Sequence, residues 1–316
     1  MPETISSLEG SQRIASEAVS STSNDPHQVH HAHLNLAPIG MRRLGSWVAG
    51  SRPSTALIAS REWLDGFNRT ISLLEYCPRG NNRMSPAERA LRLVELTAQL
   101  KDGSTPSACM REGFERVLLA SVDLDDANRS LVLAGLAGVV DQLQAGVGDS
   151  SPIRILLDAT AALEPPYRKA VLVALAGQVR VLRGAFTDVM RAAEGMAAAD
   201  RAEVLAELAK GLAMVPPELL RDVRDELLQR TEQLGDAALE EQVLIQLAEG
   251  IRAMAELAAP ADLLDTFDTL IERNARQPEE FREEVHAILV SSSQMYLPEE
   301  EMTRRWVRLT DVRMEW

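Results

Sequence analysis

The sequence predicts an all-α protein: a right-handed α-solenoid of stacked helical hairpins, with about five repeats of 33–42 residues and a disordered N-terminal leader. Two observations carry this. A phrase recurs at helical spacing as Val132-Leu133-x-x-Leu136-Ala137-x-x-Val140, Val171-Leu172-x-x-Leu175-Ala176-x-x-Val179, Val204-Leu205-x-x-Leu208-Ala209-x-x-Leu212 and Val243-Leu244-x-x-Leu247-Ala248-x-x-Ile251, with a degenerate fifth copy at Val285-His286-x-x-Leu289-Val290. Successive copies begin 39, 33, 39 and 42 positions apart. Composition agrees, since aromatics make up only 4% of the 316 residues while Ala and Leu abound, which favours helices packed by aliphatics over a sheet.

Each copy reads as the buried stripe of a helix, because apolar residues at i, i+1, i+4, i+5 and i+8 share one side of a 3.6-residue turn, and the alanine lets a neighbouring helix come close. A partner helix is expected between copies, at Ile153 to Leu163, Phe186 to Met196, Leu219 to Leu234 and Leu263 to Ile271. Pro165-Pro166, Pro216-Pro217, Pro260 and Pro278 punctuate the boundaries, as prolines that lack an N–H and suit a first helical turn. A hairpin of this size buries its apolar face only against its neighbours.

Taken in order, the chain opens differently. Seven serines fall within the first 23 residues and no periodic apolar face follows, so residues 1–40 are expected to be a disordered leader. The run His27-Gln28-Val29-His30-His31-Ala32-His33 holds four of the five histidines; without Cys or carboxylate at fixed spacing it reads as an unstructured polar run rather than a metal site. Residues 41–84 are expected to be a short helical cap or linker, with Trp47, Trp63 and Phe67 anchoring one or two short helices and Cys77-Pro78-Arg79-Gly80-Asn81-Asn82 ending them. The repeat domain spans 85–316. It starts at Ser85-Pro86-Ala87-Glu88, an N-cap serine with proline in the first turn and glutamate three places on, and Lys101-Asp102-Gly103-Ser104 stops that first helix. A last helix begins at Pro298-Glu299 and carries Trp306, either an interface anchor or a lid on the final hairpin.

Charge and chemistry narrow the function. Residues 1–80 hold seven arginines and seven acids, so the whole net charge of −14 belongs to the helical part. An acidic surface repels phosphate backbones and attracts basic partners, so no nucleic acid is expected, and a protein with a basic surface is. No apolar run of about 18 residues is present to span a membrane, and the start of the chain lacks a charged-then-apolar signal peptide. Cys77 and Cys109 are too few for a disulfide framework. No catalytic motif stands out, no cofactor is implied, and His286, alone in the folded body, occupies a core slot of the phrase and reads as a partly buried structural residue. Acidic runs such as Glu299-Glu300-Glu301 read as solvated charge.

The position just before each Val, taken with its i+4 and i+7 neighbours, is the candidate recognition face. It reads Leu131-Gly135-Gly138, then Ala170-Ala174-Gly177, then Glu203-Glu207-Lys210, Gln242-Gln246-Glu249 and Glu284-Ile288-Ser291. Small and apolar in the first two units, it turns polar in the next two, and Glu203, Glu207, Lys210, Gln242, Gln246 and Glu249 are the candidate partner-binding residues.

Only Lys101, Lys169 and Lys210 among the 33 basic residues are lysine, which fits a G- and C-rich genome or a protein that offers few ubiquitin sites inside a eukaryotic host. A serine-rich, lysine-free leader before a lysine-poor helical body resembles type III secreted effectors of Gram-negative pathogens, and the body is similar to HEAT or armadillo-type repeats. The resemblance implies that the leader is an export signal, that the protein acts inside a host cell, and that its acidic surface binds a host protein without catalysis. A bacterial cytoplasmic adaptor using the same surface is the alternative, and an enzyme of unrecognised type the third reading.

Overall fold

The computed structural model describes residues 55–75, 84–103, 105–143, 151–178 and 185–305, all within one compact unit. The leader, the histidine run, Trp47, the turn at Cys77 and Trp306 therefore lie outside the described residues. Among those described, all regular structure is helical. The helices are α1 (Thr55–Glu75), α2 (Pro86–Lys101), α3 (Ser107–Ala120), α4 (Asp126–Ala137), α5 (Pro152–Ala161), α6 (Pro165–Ala176), α7 (Phe186–Ala192), α8 (Ala198–Lys210), α9 (Pro217–Glu232), α10 (Ala237–Leu257), α11 (Pro260–Arg276) and α12 (Glu283–Tyr296). Residues 299–305 form a further helix, α13.

Helices start where the sequence places its punctuation. The Glu88 amide donates to Ser85 Oγ at 3.2 Å and the Ser85 amide to Glu88 Oε2 at 2.8 Å, a reciprocal cap that satisfies two donors orphaned at the start of α2. The Ser85 amide, seconded by the Ser85 side chain, holds the Glu88 carboxyl below its ordinary range. Pro86, Pro152, Pro165, Pro217 and Pro260 all stand in first turns. Pro278 instead precedes a short 3-10 turn, Glu279–Phe281, before α12. Asp125 and Asp236 cap α4 and α10 through their carboxylates.

Each helix from α1 to α12 packs on its chain neighbour, and a second set of contacts joins every other helix. In the even series α2 lies on α4, α4 on α6, α6 on α8, α8 on α10 and α10 on α12; in the odd series α1 lies on α3, α5 on α7, α7 on α9 and α9 on α11. One apolar cluster runs through both series. The repeated phrase supplies the even contribution: Val132, Leu133, Leu136 and Ala137, and their counterparts in α6, α8 and α10, are all buried. In the last copy Val285 and Leu289 are buried, while His286 and Val290 are half-buried. Helix α2 buries the same spacing, with Leu93, Leu96, Thr97 and Leu100 inside and Arg92 exposed in the slot that valine holds elsewhere.

Glycine sets the closest approaches in the even series. A Cβ on Gly135 would lie 2.5 Å from Thr97 Oγ1, so α4 sits against α2 with no room for a methyl, and one on Gly250 would lie 3.3 Å from the Ala209 carbonyl oxygen, a tight approach of α10 to α8. Of the segment 41–84, where one or two short helices are expected, the described residues before α2 form one helix, α1, with Trp63 stacked on Phe67 at 4.7 Å. Phe67 and Ile71 are buried, and Cys109 Sγ of α3 donates to the Ser60 carbonyl at 3.2 Å, which makes it a buried structural thiol.

A second regularity lies three residues before each phrase, where Arg89, Arg129, Arg168, Arg201, Glu240 and Arg282 stand. Four of the arginines cap the C-terminal end of an odd helix by donating to its free carbonyls, an arrangement favoured by the negative end of the helix dipole. Arg89 donates to Ala120 at 2.7 Å, Arg168 to Leu163 at 2.8 Å and Ala161 at 3.0 Å, Arg201 to Gln233 at 3.0 Å, and Arg282 to Gln277. At Glu240 the polarity reverses, and the carboxylate accepts at 2.8 Å from the side chain of Gln277, the C-cap of α11. Arg129 is buried with its Nε unpaired; burial lowers its pKa and Asp126 opposes that.

Candidate functional site

The candidate face is built from the positions of the even helices that the phrase leaves outside the core. Because the apolar stripe fixes each helix's rotation, the residue before each phrase must point away from it. Leu91, Leu131, Ala170, Gln242 and Glu284 are exposed at this position and Glu203 is half-buried. The series contacts put these residues side by side on helices that touch.

The six residues singled out from the sequence divide into two groups. Glu203 and Glu207 are engaged within the chain: Lys169 Nζ on α6 lies 2.6 Å from Glu203 Oε1 and 3.2 Å from Asp200 Oδ1, and Lys210 Nζ lies 2.7 Å from Glu207 Oε2. The hydrogen bond to Glu203, with a second to Asp200, raises the Lys169 pKa above its ordinary value. Among the described residues Gln242, Gln246 and Glu249 make no hydrogen bond or ion pair, and Gln242 and Glu249 are exposed. The acidic ladder is thus half-neutralised on α8 and open on α10.

One step further the balance tips the other way. Glu241 on α10 is partly desolvated and faces the charge of Glu284 on α12, and both effects push its carboxyl pKa up.

Where the C-terminal ends of α4, α6 and α8 come together the face is indented by a cavity of about 260 Å³, walled by Asp141, Gly177, Glu207, Lys210 and Met214. Gly177 lines it, and a Cβ there would come into ordinary contact with Glu207 Oε1 at 3.5 Å. Two of the six sequence-selected residues, Glu207 and Lys210, therefore line one cavity, while Gln242, Gln246 and Glu249 stand on the next helix. Among the described residues no three His, Cys, Asp or Glu side chains gather as metal ligands would, and no helix is long and apolar enough to cross a membrane.

The chain matches no model of a known protein family, no curated protein and no solved structure.

Sequence reasoning missed the lysine on the neighbouring helix that satisfies Glu203, and missed Asp141 as a wall of the cavity. Aligning the copies one turn further upstream and downstream exposes both, since Lys169 lies two places before its phrase and Asp141 one place after the end of its own.

Proposed function

We propose that this protein is a non-enzymatic protein-interaction scaffold: a right-handed α-solenoid, similar to HEAT or armadillo repeats, that presents the outer face of its even-numbered helices to another protein. The observation that carries this reading is the set of positions that are outward-facing and identical in register on helices touching in series from α2 to α12. Such a surface lengthens with each added unit, which suits it to an extended partner. The net charge of −14 favours a basic one and disfavours nucleic acid.

The leader supports a type III secreted effector acting on a host protein. Two measurements test the proposal. A photo-crosslinking amino acid at position 242 on α10 captures one discrete protein when one at Asp222 on α9, an exposed position of the odd series, does not; equal, diffuse capture at both removes the interaction face. Residues 1–50 fused to a reporter are exported by a type III-competent strain if the protein is an effector. Retention assigns the same surface to a bacterial cytoplasmic adaptor.

A further inference from the structure

The face proposed for binding changes character along its length. On α2 and α4 the position before the phrase holds Leu91 and Leu131, which are 59% and 50% exposed although both helices bury every neighbouring leucine of the stripe. Exposed leucines at the same register of two touching helices make a patch, which scattered single leucines do not. Beyond them the face carries the small residues Gly138, Ala174 and Gly177 and is indented by the cavity beside Asp141 and Glu207. From α8 onward these helices carry Asp200, Glu203, Glu207, Glu241, Glu249 and Glu284, against Lys210, the exposed Arg252 and, reaching over from α6, Lys169.

We propose that this face is one bipartite groove for an amphipathic basic segment of a partner protein, whose aliphatic side chains cover Leu91 and Leu131 and whose arginine or lysine reaches the carboxylates at the cavity. This rests on the reading of the chain as a protein-binding scaffold and adds where the partner sits and what it is made of. Charge complementarity selects the occupant. A second copy of this chain, a nucleic acid or an anionic membrane would each bring negative charge to a face already in excess of it. A purely aliphatic segment would leave the acidic half uncovered, and a purely basic one would leave the leucines in water. The crowding of Glu241 against Glu284 is a strain that a bound cation relieves.

The test is a phage-displayed library of random 12-residue peptides selected on the full chain, with the winners synthesised and titrated by fluorescence anisotropy. Enriched peptides are expected to combine two or more aliphatic residues with arginine or lysine. Leu91→Glu and Leu131→Glu, on two different helices and both at exposed positions, are each expected to weaken binding at least about tenfold, as loss of a central apolar contact does. Asp141→Asn is expected to weaken it about threefold and to flatten its salt dependence, as neutralising one rim charge does. Circular dichroism shows that each variant is folded. Enriched peptides that lack either component, or that bind both leucine variants unchanged, overturn the groove and leave the scaffold reading standing. Failure to enrich any peptide above a carrier control overturns both.

Discussion

The two series of helices solve the same packing problem with different chemistry. Even helices meet through fully buried aliphatics and through close approaches at glycine, as at Gly135 and Gly250. Odd helices are also apolar inside but are stitched along their outer edge by ion pairs between neighbours. Arg154 on α5 reaches Asp188 on α7 at 3.7 Å, and Arg230 on α9 reaches back to Glu194 just beyond α7. Arg224 on α9 meets Asp265 on α11 at 2.8 Å, Glu232 meets Arg273 at 2.9 Å, and Asp268 on α11 meets Arg305 on α13 at 2.7 Å. The odd series spends its outward charges on itself. On the even series Lys169 of α6 bridges to Asp200 and Glu203 of α8, while Gln242 and Glu249 on α10 stay exposed.

Breaking the even series at its core gives the largest effect. Leu208→Asp places an unpaired carboxylate where no surface is exposed, at a cost of about 4 kcal/mol or more. Since each hairpin depends on the next, the damage is expected to spread beyond α8; a soluble variant that melts cooperatively at the wild-type midpoint contradicts the register. Gly135→Ala tests shape alone. The new methyl meets Thr97 Oγ1, Cβ and Cγ2 within 3.4 Å, so rotating the threonine offers no escape and a loss of about 1–3 kcal/mol in chemical denaturation is expected.

On the odd series the effects are electrostatic and pH-dependent. The hydrogen bond from Arg224 holds the Asp265 carboxyl below its ordinary value, despite partial burial that opposes it. A depressed carboxyl contributes stability that is present above its unfolded value and lost as pH falls through the folded one. Arg224→Ala is therefore expected to lower the free energy of unfolding at pH 7 by about 1–2 kcal/mol, since the paired acids are partly exposed, and to flatten the decline below pH 4. An acid limb as steep as wild type refutes the pairing. Back on the even series Glu241 has the opposite sign. Its raised value means that stability falls as pH rises above the unfolded carboxyl range, so wild type carries the penalty at neutral pH. Glu241→Gln is expected to stabilise the protein slightly at pH 7, within about 0.5 kcal/mol, and to make no difference near pH 4.

What was legible in the sequence follows the range over which the physics acts. The phrase, the prolines and the Ser85 cap depend on residues within about two helical turns, and they place α4, α6, α8 and α10 correctly. The stripe of α2 was hidden by a single charged residue, Arg92, in the leading slot, and the extent of α1 by alternating signals. At the candidate face the outward register was readable because burial fixes rotation, but its charge state was not. Glu203 is answered by Lys169, 34 residues away, and the cavity wall at Asp141 comes from a 3-10 turn after α4, partners that only the stacking brings together. The arginine rung was equally out of reach, as its acceptors are main-chain carbonyls up to 32 residues away that leave no mark in composition.

That rung differs along the chain in what it asks of its partner. Where the acceptor is a main-chain carbonyl, as for Arg89, Arg168 and Arg201, any helix end supplies it whatever its side chains, so the partner residue is free to vary. Glu240 needs a particular donor, and Gln277 gives its amide to Glu240 while its carbonyl receives Arg282. Three helices are thereby keyed to one glutamine, and a substitution at Gln277 reaches α10, α11 and the start of α12 at once.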